Sequence, residues 1–319
     1  MWRSDRSLVG PLLPTRSDID ALNRVFSEAF TERYRRDGLS GVRVPYLNPA
    51  IWHYAIDDAG DGAMIWRDGR GELVAFNMVH RSGSEGWMGP LAVRTDRQGH
   101  GEGQTIVMAG VTWLQAQGVA TIGLETMPRT TDNIGFYSRL GFLPGQMTIT
   151  LQRDRLRDDG AAGIRLGALP RDAQVGAMAS CRALAAVAAP GVDFTREIDL
   201  TLSHQLGDVT MMHRGGELRA FALWHTAPLA QGRGSDELRV LKLVAPDVET
   251  TMELLGAIER EAVIAGMHRM AIRCQTRQDE LYAALLADRF RVHWTDLRMT
   301  LAGYAEVPPR GVLLSNWEI

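Results

Sequence analysis

The stretch that asks most of its surroundings runs from Val93 to Gln104 and reads Val-Arg-Thr-Asp-Arg-Gln-Gly-His-Gly-Glu-Gly-Gln, with Gly99, Gly101 and Gly103 at alternate positions. An apolar, strand-like run over 87–93 precedes it. A helical pattern over 104–117 follows, with Ile106, Val107, Ala109, Gly110 and Trp113 recurring on one side. A strand, a glycine loop and a helix start in that order form an anion site. Glycines let the backbone approach closely and take positive φ, and the unpaired N–H groups at the helix start point at whatever the loop holds. A phosphate or pyrophosphate is the expected occupant.

Two common phosphate loops are excluded. The dinucleotide fingerprint has another glycine spacing and an acid about 20 residues on, and the NTPase loop needs Gly-Lys-Ser/Thr. What matches is Gln/Arg-x-x-Gly-x-Gly/Ala, here Gln98-Gly99-His100-Gly101-Glu102-Gly103, five residues after Val93. This resembles the coenzyme A loop of the GNAT superfamily of N-acetyltransferases. A second segment agrees: a strand over 121–126, then Thr131 to Phe142, ending Phe136-Tyr137-Ser138-Arg139-Leu140-Gly141-Phe142. It is similar to the strand and short helix that close the family's motif, and the resemblance covers about residues 10–152.

At 319 residues the chain is long for one compact domain and comfortable for two. A net charge of −3 gives no basic face for nucleic acid. No apolar run reaches the roughly 20 residues that cross a bilayer, and the first residues lack the apolar core of a signal peptide, so a cytoplasmic location and no membrane partner are expected. Cys181 and Cys274 stand far apart without metal-ligand neighbours and read as reduced, packed thiols. Basic charge is almost all arginine, and Lys242 is the single lysine, a skew that reflects genome composition more than function.

In order, the patterns predict a loose lead-in over 1–13 with a first strand near 10–14. A helix starts at Ser17, with Ile19, Leu22, Val25, Phe26 and Phe30 as its buried stripe. A second helix falls near 49–56, and a hairpin over 63–79 turns at Asp68-Gly69-Arg70-Gly71. In the family the strand before the loop carries a bulge that receives the pantetheine arm, and Pro90 fits such an interruption. The helix after the loop, the strand to Thr126, the short helix and a last strand over 147–152 complete the unit.

Residues 154–163 are polar and glycine-bearing and read as a linker. The second half repeats the plan: a strand over 164–169, a helix over 171–188, a hairpin over 209–224, a strand over 238–244, a helix over 249–265, a strand over 270–274, a helix over 279–287 and a strand over 293–301. From Val93 to Gly118 is 25 residues, but from Val244 to Gly266 is 22, and the shortfall falls on the glycine loop. Ala245-Pro246-Asp247-Val248-Glu249 replaces it, removing an N–H and adding negative charge. The expectation is α/β, two tandem acyl-CoA N-acyltransferase folds, each a mixed, mostly antiparallel twisted sheet flanked by helices. A catalytic domain would span 1–153 and a degenerate one without the coenzyme loop 164–319. The latter would be structural, shape the acceptor cleft or form a homodimer.

The resemblance implies acetyl transfer from acetyl-CoA to an amine, by direct attack in a ternary complex. Leu91, Ala92, Val93, Gln98, Gly99, His100, Gly101, Glu102, Gly103, Gln104 and Asn133 would hold the coenzyme, with the side chains of His100 and Glu102 largely solvated. A strand N–H near Leu91 to Val93 would polarise the thioester carbonyl. In many relatives a tyrosine at the place of Tyr137 protonates the departing thiolate. An alkyl amine with a pKa near 10 needs a base. Glu125, 12 residues before Tyr137, is the first candidate, against the plainer reading of an exposed strand-end carboxylate; Glu85 and Glu28 stand where other relatives place theirs. The first two helices would line the acceptor side, so Tyr34, Tyr46, Trp52, His53, Tyr54 and His80 are possible contacts. The acceptor class is a small-molecule or peptide amine, and no spacing suggests a metal. Two rivals stand beside this: a non-catalytic acyl-CoA sensor, and an acceptor site in the second half around Asp247, Glu249, Trp224 and Trp294.

Overall fold

The computed structural model describes residues 7–317. Its N-terminal half runs β1 (Val9–Leu12), α1 (Ile19–Arg36), α2 (Pro49–Ala59), β2 (Ala63–Arg67), β3 (Leu73–Ser82), β4 (Glu85–Val93), α3 (Glu102–Ala116), β5 (Thr121–Thr126), α4 (Thr131–Arg139) and β6 (Phe142–Asp154). The C-terminal half runs β7 (Ile164–Arg165), α5 (Arg171–Ala188), α6 (Thr195–Ser203), β8 (Gly207–Arg214), β9 (Glu217–His225), β10 (Glu237–Ala245), α7 (Val248–Ile264), β11 (Arg269–Gln275), α8 (Asp279–Ala287), β12 (Arg291–Leu301) and β13 (Val312–Ser315). Part of the expected lead-in, residues 1–6, lies outside the described residues.

Local chemistry sets the helix starts. The first helical turn is opened by a capping box between Thr15 and Asp18 rather than by Ser17. Asn48 caps α2 ahead of Pro49 at its first position. Asp247 accepts the N–H of Thr250 and caps α7. Of the stripe expected on α1, Ile19, Leu22, Val25 and Phe26 are buried, and Phe30 packs half-buried against the same core. In the second half the expected strand over 164–169 shrinks to two residues followed by a 3₁₀ turn, and α6 was not anticipated.

The strands join one sheet in the order β1-β2-β3-β4-β5-β12-β6-β11-β10-β9-β8-β7, with β13 added to β10. This corrects the expectation that the strand over 147–152 closes its own unit. Strand β6 pairs with β11 from Asp154↔Arg269 to Gln275↔Thr148, and β12 takes the place beside β5 from Leu297↔Thr126 to Thr300↔Gly123. The halves therefore exchange their late strands, and residues of both meet at β5, β12, β6 and β11. The 154–163 segment is also tied down: Arg157 reaches Glu259 and Asp288, and Gly160 lies so close to α7 that a Cβ there would stand 2.2 Å from the Gly256 carbonyl.

Candidate active site

Strands β4 and β5 are parallel neighbours from Glu85↔Thr121 to Met88↔Leu124, and there the pairing stops. Beyond it β4 continues to Val93 and β5 to Thr126, so the two diverge. The register between β3 and β4 slips over the same place, Asn77 facing Leu91 but Val79 facing Met88, a bulge at Gly89 and Pro90. The N–H of Arg94 donates to the Val74 carbonyl on β3 (2.8 Å). Backbone direction alternates along a strand, so Ala92 also turns toward β3, while Leu91 and Val93 turn their N–H groups into the opening. Ala92 packs in the core, and the donors facing the cleft are Leu91 and Val93.

The glycine loop lies at the end of this opening. Gly99 and Gly101 have φ of +81° and +87°, which side-chain-bearing residues adopt at a cost. Gly103 is helical instead and serves by smallness, since a Cβ there would lie 3.3 Å from the Phe136 ring. Gln98 donates from Nε2 to the Val93 carbonyl (2.9 Å), anchoring the loop to its strand. Glu102 is not largely solvated as expected; it is half-buried in an ion pair with Arg97. His100 lies within 3.3 Å of the Arg97 carbonyl. At the start of α3 the N–H of Gln104 donates to the Gly101 carbonyl (3.1 Å), so the donors left for an anion are those of the residues before it.

A cavity of about 540 Å³ continues from the opening into the interior between the halves. Leu91, Glu125, Thr126, Asn133 and Tyr137 line one side; Glu237, Arg239, Arg273, His293, Trp294 and Asp296 of the C-terminal half line the other. Tyr34 and His80 join the wall, whereas Trp52 and Tyr54 are core residues. Asn133 donates weakly to the Thr126 hydroxyl (3.4 Å). Burial pushes the Tyr137 phenol up to about 12, so it stays protonated and can donate a hydrogen bond at any working pH.

Glu125 is half-buried rather than exposed. It pairs with Arg273 and with Arg298 (3.3 Å) and accepts the Thr148 hydroxyl (2.6 Å). Burial alone would raise its pKa, but the two guanidiniums outweigh burial and hold it below the ordinary range. Arg273 also holds Asp296 (2.8 Å), whose other oxygen accepts Trp294 Nε1 (3.1 Å). There burial dominates and the carboxyl is raised, with Arg273 opposing and Glu125 reinforcing. Glu85 sits at the far end of β4, half-buried and raised by desolvation, and Glu28 lines a separate surface groove. Arg273, Arg298 and Asp296 were not foreseen because they meet Glu125 only through the strand exchange, Asp296 and Arg298 on β12 and Arg273 on β11 beside β6; alternation on 269–275 and 291–301 places them on a face without saying which half it meets.

The equivalent opening in the C-terminal half is filled. Strands β10 and β11 are parallel only to Val240↔Ile272, and β13 then lies along β10 from Lys242↔Ser315 to Ala245↔Val312. Asn316 continues the plug, bonding the Leu241 and Arg273 carbonyls and Gln275. Asp247 is a helix cap, and Trp224 is buried with its Nε1 donating to Thr210. Of the aromatic and acidic residues weighed for a separate acceptor site there, Trp294 lines the shared cavity.

Residues 21–142 match the family model described as Acetyltransferase (GNAT) family. The chain carries a GNAT acetyltransferase domain. The mycothiol acetyltransferase of Actinosynnema mirum is 28% identical to it over 126 residues, 39% of this chain and 41% of that protein, so the match spans less than half of either. The whole chain has the acetyltransferase fold in tandem. A candidate acetyltransferase from Pyrococcus horikoshii superposes with a TM-score of 0.69 at 14% identity, over 99% of this chain and 96% of that one. A tandem GNAT protein from the clavulanic acid biosynthesis pathway gives 0.59 at 10% identity over 94% and 99%.

Proposed function

We propose that the protein transfers an acetyl group from acetyl-CoA to a primary amine, by direct attack within a ternary complex. The observation that carries this is the parting of β4 and β5 after Met88 and Leu124, which joins the glycine loop to a cavity walled by both halves. The coenzyme's phosphates would meet Gln98 to Gln104, and its pantetheine arm the free edge of β4 beside Asn133. The N–H of Leu91 or Val93 would stabilise the oxyanion, and Tyr137 would hydrogen-bond the departing sulfur. Neither cysteine lines the cavity and burial raises both thiols to about 12, which supports direct attack over an acyl-cysteine intermediate. The relative's name supports acetyl as the group carried.

The test is calorimetric titration of acetyl-CoA into the wild type and a Gly101→Asp, Gly103→Asp double variant, followed by thiol release against a panel of amines. Tight binding lost in the variant, with thiol released for some amines, is expected. Binding without release for any amine would point to a non-catalytic acyl-CoA sensor, and binding unchanged in the variant would reduce the loop to a turn.

A further inference from the structure

We propose that Asp296, brought to the N-terminal half's cleft on the exchanged strand β12, takes the proton from the acceptor's ammonium group, and that Glu125 is a positioning residue acting through Arg273. The inference rests on the acyl-transfer reading above and names its base.

Five observations support the assignment. Both carboxylates line the cavity with Leu91 and Tyr137, but their surroundings differ. Glu125 is held by two guanidiniums and a hydroxyl, so its charge is neutralised, its Oε1 takes two donors and only Oε2, held by Arg273 alone, keeps a lone pair. Asp296 shares one of those guanidiniums and otherwise accepts a neutral indole N–H. Each of its oxygens therefore keeps a lone pair for an incoming donor. Arg298 is already shared between Glu125 and Glu306 (3.0 Å), so the cluster of Glu125, Asp296, Glu306, Arg273 and Arg298 carries one net negative charge beside the cavity. That balance suits a cationic acceptor. Tyr34 and Trp294, rings 6.0 Å apart, form an aromatic wall next to Asp296.

In the step, an ammonium proton passes to Asp296 and frees the nitrogen's electron pair. The nitrogen forms a bond to the thioester carbonyl carbon, and the carbon–sulfur bond breaks with its electrons on sulfur. The second nitrogen proton goes to the thiolate, bridged by Tyr137, and Asp296 returns its proton to water. The products are the amide, the free thiol and one proton.

The groups facing Asp296 are Arg273 from β11, Glu125 from β5 and Tyr34 from α1, with His293 on its own strand and Glu237 and Arg239 of β10 in the same wall. The two carboxylates therefore titrate as a pair, and two variants separate them. Asp296→Asn keeps the acceptor for Trp294 but cannot take a proton. It should lower kcat/KM for aliphatic primary amines by about 10²-fold or more, abolish the acid limb of the pH–rate profile and leave the acetyl-CoA Kd within about twofold. Amines that are neutral at pH 7, such as hydrazides, should lose far less. Glu125→Gln removes a negative neighbour, so the acid limb should persist and move to lower pH. The reverse pattern, with the limb lost in Glu125→Gln and retained in Asp296→Asn, would overturn the assignment, as would a limb retained in both. Thermal melting and acetyl-CoA titration of both variants show whether each folds and binds. A wild type that binds acetyl-CoA but acylates no amine would overturn the acyl-transfer reading and this assignment with it, whereas an active wild type with the wrong variant pattern would overturn the assignment alone.

Discussion

Replacing Lys242 with methionine should destabilise the protein in a way that depends on pH. The single lysine of the chain is 1% exposed, its Nζ 3.5 Å from Glu197 Oε1, 3.2 Å from the Ser315 hydroxyl and 3.6 Å above the Trp317 ring. Desolvation lowers its pKa against the pull of Glu197, Glu85 and Asp58. Glu197 is pushed up to about 7, by burial first and by Asp58, with Lys242 opposing. Between the ordinary 4.5 and about 7 the folded state binds a proton that the unfolded state has lost. Stability therefore falls as pH rises through that window, by about 3 kcal/mol in full. Lys242→Met removes the counter-charge. At pH 8 a buried carboxylate is left uncompensated, a loss of about 3–5 kcal/mol, and for 319 residues a fall in melting temperature of roughly 4–8 °C. At pH 5 Glu197 is protonated in both proteins, and the loss should be under about 1.5 kcal/mol, the size of the hydrogen bonds removed. Urea unfolding at the two pH values measures this, and a Lys242→Met, Glu197→Gln double variant should recover most of the loss at pH 8. An equal loss at both pH values, or less than about 1 kcal/mol at pH 8, would refute the reasoning.

Two further outcomes follow from burial. Removing residues 312–319 takes away Val312, Leu313 and Leu314, all buried, and unplugs the β10–β11 opening. About 4–9 kcal/mol of apolar burial is lost, so the truncated chain should bind a hydrophobic dye or aggregate; a soluble, cooperatively melting product would contradict the plug. Cys181 and Cys274 are free, buried and raised to about 12, so at pH 8 neither should react with Ellman's reagent before unfolding and both should react in urea. A fast phase in the native protein would count against their burial.

Much of the proposed coenzyme side was legible along the chain because it is local. Gln98 to Gln104 build the loop from consecutive residues, and positive φ at Gly99 and Gly101 is a demand that glycine itself announces. Pro90 marked the bulge, and Asn133 and Tyr137, one helical turn apart, reach the cavity from one short helix. Helix starts, hairpins and the repeat of the plan likewise follow from periods of 3.6 and 2 and from capping residues. The expectation of Glu125 as a base failed to foresee its partners, because Arg273 is 148 positions away and Arg298 173.

The sequence by itself determined the tandem fold, the glycine loop and the replacement of that loop in the second half by Ala245 to Glu249. Tertiary structure alone decided which half each late strand joins, what fills the second opening and what surrounds the carboxylates. The reason is physical. A strand's alternation sets which residues share a face but not the neighbour it pairs with, so β6 and β12 each carry a pattern that either half could receive. Once they exchange, Arg273, Asp296 and Arg298 are packed beside Glu125, and desolvation and pairing there, quantities that depend on everything packed around a group, set the charge of each.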